Sequence, residues 1–173
     1  VTHNGNAHLD EYLATAWLKA KYPHLGLIRT NDKNPNLPFF IEHEEYYVVD
    51  IGRKHDPTKN NFDHHQFSSD EKPTCAFSLV LKAHGVYEDA LQAWNWLKNL
   101  EVYDSKGPVA LKSALNCREA DFDPIGILSP LEKMLLAEFS EVGTSIVGHW
   151  WNTGSMLHES FNSYANMKAL VCS

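Results

Sequence analysis

Residues 46–52 read Tyr46-Tyr47-Val48-Val49-Asp50-Ile51-Gly52. An aromatic and β-branched run that ends on a carboxylate and then a glycine predicts a buried strand of parallel type, with Asp50 at its carboxyl end. In open α/β sheets ligands bind outside the carboxyl ends of strands. Asp50 is therefore a candidate metal ligand, and taken alone it is equally well read as an Asx-type turn residue.

Working outward, Val1-Thr2 reads as the end of a strand whose beginning lies upstream, followed by a tight loop around Gly5. Leu9 to Tyr22 has helical spacing, with Leu13, Ala14, Trp17, Leu18 and Tyr22 in one stripe and Pro23 as its stop. Leu25 to Ile28 predicts a second short strand, and the Asn- and Pro-rich stretch from Arg29 to Pro38 a loop. Arg53 to Asn61 is turn-rich. Helices are expected over Pro73–His84, capped near Thr74 and ended by Gly85, and over Tyr87–Tyr103, broken by Asp104 to Pro108 and resumed over Val109–Leu115. Beyond a turn at Asp121 to Pro124, Pro130 to Val142 has amphipathic spacing, and Gly143 to Val171 reads as helix. The order predicts an α/β fold with a mainly parallel sheet flanked by helices and a helical C-terminal half. The expected division is 1–120 as the α/β domain and 121–173 as a helical extension packed on it.

Composition narrows the function. With 43% hydrophobic and 21% charged residues, 173 residues suffice for a buried core. No apolar run is long enough for a bilayer, and no signal peptide is visible. Cys75, Cys117 and Cys172 show no paired spacing, so a thiolate zinc site and a disulfide framework are not expected, and a reducing cytoplasm is. The net charge of −7, from 15 basic and 22 acidic residues, excludes a broad duplex-binding surface but not a small phosphorylated substrate or a short single strand.

Four clusters carry metal-competent side chains. His3, His8, Asp10 and Glu11 lie within nine residues. A plain reading has the two acids serve the N-terminal dipole of the first helix, which leaves both histidines unexplained. Asp50 is the second cluster. The third is Asp63-His64-His65. In an extended segment His64 and His65 would point to opposite sides, so one is expected on metal and the other on substrate, with Asp63 placed to orient an imidazole. Asp104 is the fourth, a carboxylate at the unfavourable dipole end of a helix. Imidazole and carboxylate donors without thiolate favour Mn²⁺, with Mg²⁺, Co²⁺, Fe²⁺ or Zn²⁺ as alternatives. Six ligand groups exceed the usual needs of one ion, and two ions suit in-line attack on phosphorus. Arg53, Lys54 and Lys59 are the nearest cations for a phosphate. His149-Trp150-Trp151 is read as aromatic packing in the C-terminal core, not as a ligand element.

These motifs, Thr2-His3-Asn4-Gly5…His8-x-Asp10-Glu11, Val48-Val49-Asp50-Ile51-Gly52, His55-Asp56-Pro57 and Phe62-Asp63-His64-His65-Gln66, resemble the melanocyte-proliferating-gene family of metal-dependent hydrolases. That family is grouped with the DHH phosphoesterases, which include the RecJ exonucleases and the family II inorganic pyrophosphatases. The resemblance covers residues 1–66, extends to Gly107, and stops before about residue 120. It implies the fold of the DHH phosphoesterase N-terminal domain. It implies that His3, His8 and Asp50 hold one ion, and that Asp10, Asp50, His64 and Asp104 hold the other, with Asp50 shared. It also implies that Asp63 orients His64 and that His65 contacts the phosphoryl group. Two departures stand out. DHH phosphoesterases usually carry Asp where His8 stands, although the melanocyte family has His, and relatives follow the aspartate at Asp104 with Asn-Gly where this chain has Ser105-Lys106. Full-length relatives also carry a second, closing domain for which this chain is too short. The expected function is hydrolysis of a phosphodiester or phosphoanhydride by a two-metal-activated hydroxide, the substrate being a nucleotide or short oligonucleotide. The alternatives are a non-catalytic metal- or nucleotide-binding module and a zinc-stabilised structural domain.

Overall fold

The computed structural model describes residues 1–115 and 147–171. Among these residues there are five short strands, the first three separated by helices. They are β1 (Thr2–His3), β2 (Arg29–Thr30), β3 (Val48–Val49), β4 (His55–Asp56) and β5 (Asn61–Phe62). β1 pairs with β2 in parallel, β3 with β5 in parallel, and β4 with β5 antiparallel. The two ladders are stitched together where the Val49 amide donates to the Val1 carbonyl at 2.9 Å and the Val1 amine donates to the Tyr47 carbonyl at 2.7 Å. The resulting order, β2-β1-β3-β5-β4, puts β3 at the centre with β1 beside it. Their carboxyl ends, at His3 and Asp50, lie side by side.

The helices are α1 (Leu9–Lys21), α2 (Leu37–Glu42), α3 (Ala76–Ala83), α4 (Tyr87–Ala93), α5 (Leu97–Ala114) and a C-terminal helix (Val147–Val171). Residues Asp10 through Leu18 of α1 are all buried. A helix hidden on every face belongs inside the molecule, and α1 packs between α3 and the C-terminal helix. Its apolar end, with Trp17 and Leu18, joins Phe77, Leu81, Trp94 and Leu97 in the core. Burying a side chain of that size contributes about 2–3 kcal/mol. The other end carries the polar side chains Asp10, Glu11 and Thr15 to the sheet.

Several sequence expectations shift here. β2 forms at Arg29–Thr30, at the C-terminal edge of the expected Leu25–Ile28 strand, because the Thr2 amide meets the Ile28 carbonyl at 2.9 Å and sets the register there. Part of the expected 29–38 loop enters helix α2, whose first turn accepts Pro38 without losing a hydrogen bond. The single helix expected over Tyr87–Tyr103 is two. Trp94 leaves helical geometry, its buried ring lies edge-on to Trp17 and its indole N–H reaches Ser160 at 3.0 Å. The break expected over Asp104 to Pro108 falls within that stretch at Gly107, whose φ of 81° interrupts α5, and Pro108 starts the continuation. α3 is capped at Cys75, next to the expected Thr74. Cys117, Cys172, the turn at Asp121 to Pro124, the helix over Pro130 to Val142, the boundary at residue 120 and the side chains of His149-Trp150-Trp151 lie outside the described residues.

Candidate metal centre

Asp50 is the hub. It sits just past β3 with φ at 57°, a left-handed conformation that costs a non-glycine residue free energy and is tolerated by Asp and Asn better than by most. This turn aims the carboxylate back over the strand ends. Its Oδ2 lies 3.4 Å from His3 Nε2 and 3.6 Å from His8 Nδ1. Its Oδ1 lies 3.3 Å from His64 Nε2 and 3.4 Å from His65 Nδ1. Each oxygen of one buried carboxylate thus faces a different pair of imidazoles.

The remaining donors close around the same space. His64 Nε2 is 2.8 Å from Asp104 Oδ2 and 4.0 Å from Asp10 Oδ2. Among the described residues, three sets have donor atoms within 4.8 Å of one another: His3, His8 and Asp50; Asp50, His64 and His65; and His8, Asp10 and Asp104. All six predicted ligands converge, although Asp10 and Asp104 group with His8 rather than with Asp50 and His64 alone. β1 and the loop after it deliver His3 and His8, α1 delivers Asp10, the turn after β5 delivers His64, and α5 delivers Asp104 one turn before the Gly107 break.

Satisfaction of polar atoms tests whether a cation fits. His3 Nε2, Asp10 Oδ1, both Asp50 oxygens, His64 Nε2 and Asp104 Oδ2 are buried and make no hydrogen bond. Even the 2.8 Å approach of His64 to Asp104 lacks hydrogen-bond geometry. Orphaned buried groups are rare because each costs free energy. Six orphans aimed at one space fit divalent ions. Their other atoms are held in place. The His3 Nδ1–H donates to the Asn4 carbonyl at 2.9 Å, so Nε2 is the nitrogen turned toward Asp50. Asp10 Oδ2 accepts the Ala76 N–H at 2.9 Å, at the amino end of α3.

The electrostatics of the metal-free cluster agree. Burial, then the Asp50 and Asp104 charges, push the Asp10 pKa well above the carboxylate range. Burial would also raise Asp50, but His3, His64 and His8 outweigh it and hold that carboxyl ionised far below its usual value. Burial would lower the His3 and His64 pKa values, yet Asp50 and Glu11 bring His3 up to about 9, and Asp104 and Asp50 bring His64 up to about 10. The carboxylates therefore hold cations in the form of protons.

The triplet divides differently from its sequence reading. His64 and His65 do not alternate; their rings lie 4.6 Å apart, both facing Asp50. The cause is Asp63, whose Oδ1 accepts both the His65 N–H and the His65 Nδ1–H at 2.8 Å and folds the chain into a turn. Its Oδ2 accepts the Arg53 N–H at 2.8 Å. Asp63 thus orients His65, not His64. Arg53 lines a cleft of about 320 Å³ together with His3, His8, Asp50 and His65. Lys54 and Lys59 are turned away and both pair with Glu42, a partner supplied by the unforeseen α2. A second cleft of about 230 Å³ opens beside His64, His65 and Asp104, near Lys72 and Lys106. Cys75 is buried against Ser78, and burial raises its thiol pKa.

The sequence groups Glu11 with the first cluster without assigning it a role in the site. It is fully buried beside His3, with Arg29 against it. The available signal was its position three residues after His8, where a side chain can reach back to the helix-capping amide.

A family model described as Uncharacterised protein family (UPF0160), MYG1_exonuc, matches residues 1–89. The chain is 39% identical over 72 residues to the MYG1 exonuclease of Bos taurus, and equally to that of Homo sapiens; the aligned stretch is 40% of this chain and 17% and 18% of those proteins. It is 37% identical over 67 residues to the MYG1 exonuclease of Mus musculus, covering 38% of this chain and 16% of that one. The chain thus matches less than a fifth of the length of these relatives. No solved structure matches it.

Proposed function

This chain belongs to the MYG1_exonuc family, and on that premise we propose that it is a metal-dependent phosphoesterase. It hydrolyses a phosphodiester or phosphoanhydride in a nucleotide or short single-stranded oligonucleotide. The observation that carries the reading is Asp50, whose two oxygens face separate imidazole pairs and have no hydrogen-bond partner. That is the disposition of a carboxylate shared between two cations. The family name of the relatives, exonuclease, points to the same bond class. From that membership and the mainly parallel α/β sheet we infer the fold of a DHH phosphoesterase N-terminal domain.

His3, His8 and Asp50 would hold one ion and Asp10, Asp50, His64 and Asp104 the other, with Mn²⁺ favoured by imidazole and carboxylate donors without thiolate. Divalent ions at these positions supply Lewis-acid stabilisation of phosphoryl oxygens and a lowered pKa for water. The chain does the rest. His65 has its Nδ1–H committed to Asp63, so Nε2 is the atom free to meet a phosphoryl oxygen or pass a proton to the leaving group. Arg53 lines the same cleft and would grip the phosphate. Asp50 stays ionised, so it offers both oxygens at neutral pH.

The test is hydrolysis of a model phosphodiester, short oligonucleotides and pyrophosphate with added Mn²⁺, in the native protein and in Asp50→Ala. The native protein is expected to turn over at least one of them. The variant is expected to lose that activity together with its bound metal. Unchanged hydrolysis by Asp50→Ala would rule the mechanism out.

A further inference from the structure

The carboxylates around the candidate centre fall into two kinds. Asp10, Asp50 and Asp104 present unpartnered oxygens to a common space. Glu11 is as deeply buried but has both oxygens engaged elsewhere. Its Oε1 accepts the His8 N–H at 3.2 Å and meets Arg29 Nη1 at 3.4 Å. Its Oε2 accepts the Thr2 hydroxyl and lies 3.3 Å from His3 Nε2. Arg29 extends the network, because its second amino group donates to the Gly5 carbonyl at 3.1 Å.

The loop that carries His3 and His8 is short, exposed over Asn4 to Asn6, and turns through Gly5 at φ 84°. Such a segment has little intrinsic reason to keep two imidazoles at a fixed separation. Glu11 and Arg29 touch it at Thr2, at Gly5 and at His8, on both sides of the turn. A buried charge is kept in a fold when it is paired and hydrogen-bonded, and this pair meets that condition inside the molecule. Its partners are the backbone and side chains that set where His3 and His8 stand.

We propose that Glu11, acting with Arg29, is a positioning residue that fixes the spacing of His3 and His8 and so sets the affinity of the ion site they form with Asp50. Glu11 is not itself a ligand, since neither of its oxygens is free. The proposal rests on the reading that these side chains hold divalent ions.

Glu11→Gln keeps the shape but loses the counter-charge of Arg29, and it turns an amide donor toward the His8 N–H or the Thr2 hydroxyl. Metal affinity is expected to fall by roughly 10–100-fold at the ion site of His3, His8 and Asp50, in line with the loss of groups that orient ligands. The ion near Asp10, His64 and Asp104 is expected to stay. Titration with Mn²⁺ alone, counting free ion by electron paramagnetic resonance, should show one ion of the pair weakened. The visible spectrum of the Co²⁺-loaded protein should change with it. Arg29→Met, which removes the Gly5 tie, should weaken the same ion, and it is read in place of Glu11→Gln if that variant fails to fold. A purely structural role would lower the melting temperature in chelator and leave the Mn²⁺ titration and the Co²⁺ spectrum native. That result, with normal binding by the native protein, overturns the proposal alone. If the native protein binds no Mn²⁺, the metal-site reading falls and the proposal falls with it.

Discussion

Asp63 shows at the residue scale what one carboxylate can organise. Its two oxygens collect three donors, namely the His65 N–H, the His65 ring and the Arg53 N–H. An amide in its place cannot accept from all three. Asp63→Asn should therefore let the His65 ring and the Arg53 loop drift while leaving the ligands of the ions in place. We expect kcat to fall by about 10–100-fold at saturating Mn²⁺, with bound metal unchanged. Steady-state kinetics beside elemental analysis decides it. A native kcat removes Asp63 from the mechanism, and metal lost in step with activity makes His65 a ligand. The triplet was legible as a site because its three residue types have few other reasons to stand together. Its internal geometry was not legible. The alternation rule holds only for extended chain, and the turn that cancels it depends on where the Asp63 side chain bonds. The partner of Lys54 was illegible for a similar reason, since Glu42 reaches it across twelve residues.

Among the elements, α1 links core and site, and its contact with the C-terminal helix holds it there. The helices meet at Gly154, where a Cβ would fall 2.1 Å from the Ala16 carbonyl oxygen. The approach is reinforced by His158, stacked on Trp17 at 3.6 Å between ring centroids, and by the Tyr12–Thr153 hydroxyl pair at 3.0 Å. Backbone cannot yield as a flexible side chain can, so Gly154→Ala should force the helices apart and cost about 1–3 kcal/mol. Urea denaturation measures it, and a midpoint equal to the native one would mean that the helices do not meet there. The apolar stripe and Pro23 made α1 readable from sequence, because both signals are local. The division of Tyr87–Tyr103 at Trp94 was not readable. Trp94 leaves the helix while its ring packs on Trp17 and Phe161 and its N–H meets Ser160, contacts that helical spacing does not encode. The strand order was hidden for the same reason. Val48–Val49 announces a buried parallel strand, but its neighbours, β1 and β5, are chosen by tertiary packing.

Over the whole molecule, net charge bears on the proposed metal binding. The chain carries −7, and three of its acids, Asp10, Asp50 and Asp104, converge on one space. In the metal-free protein the histidines beside them are protonated, with pKa values of about 9 for His3 and about 10 for His64. Both lie above the unfolded value of about 6.5. The stability these groups contribute is therefore complete below about pH 6.5 and is lost as pH rises through about 9 to 10. Metal binding runs the other way, since each nitrogen must give up its proton to become a ligand, and affinity grows as pH rises. The stability difference between loaded and metal-free protein isolates the second effect. The melting temperature in Mn²⁺ minus that in chelator should widen steadily from about pH 6 to about pH 8.5, within the range where these histidines remain protonated without metal. Binding near neutral pH should also release protons, so the calorimetric heat of Mn²⁺ uptake should depend on the ionisation enthalpy of the buffer. A melting-temperature difference that is flat or narrowing with pH, or a heat independent of buffer, would mean that His3 and His64 are not the groups the ions displace protons from.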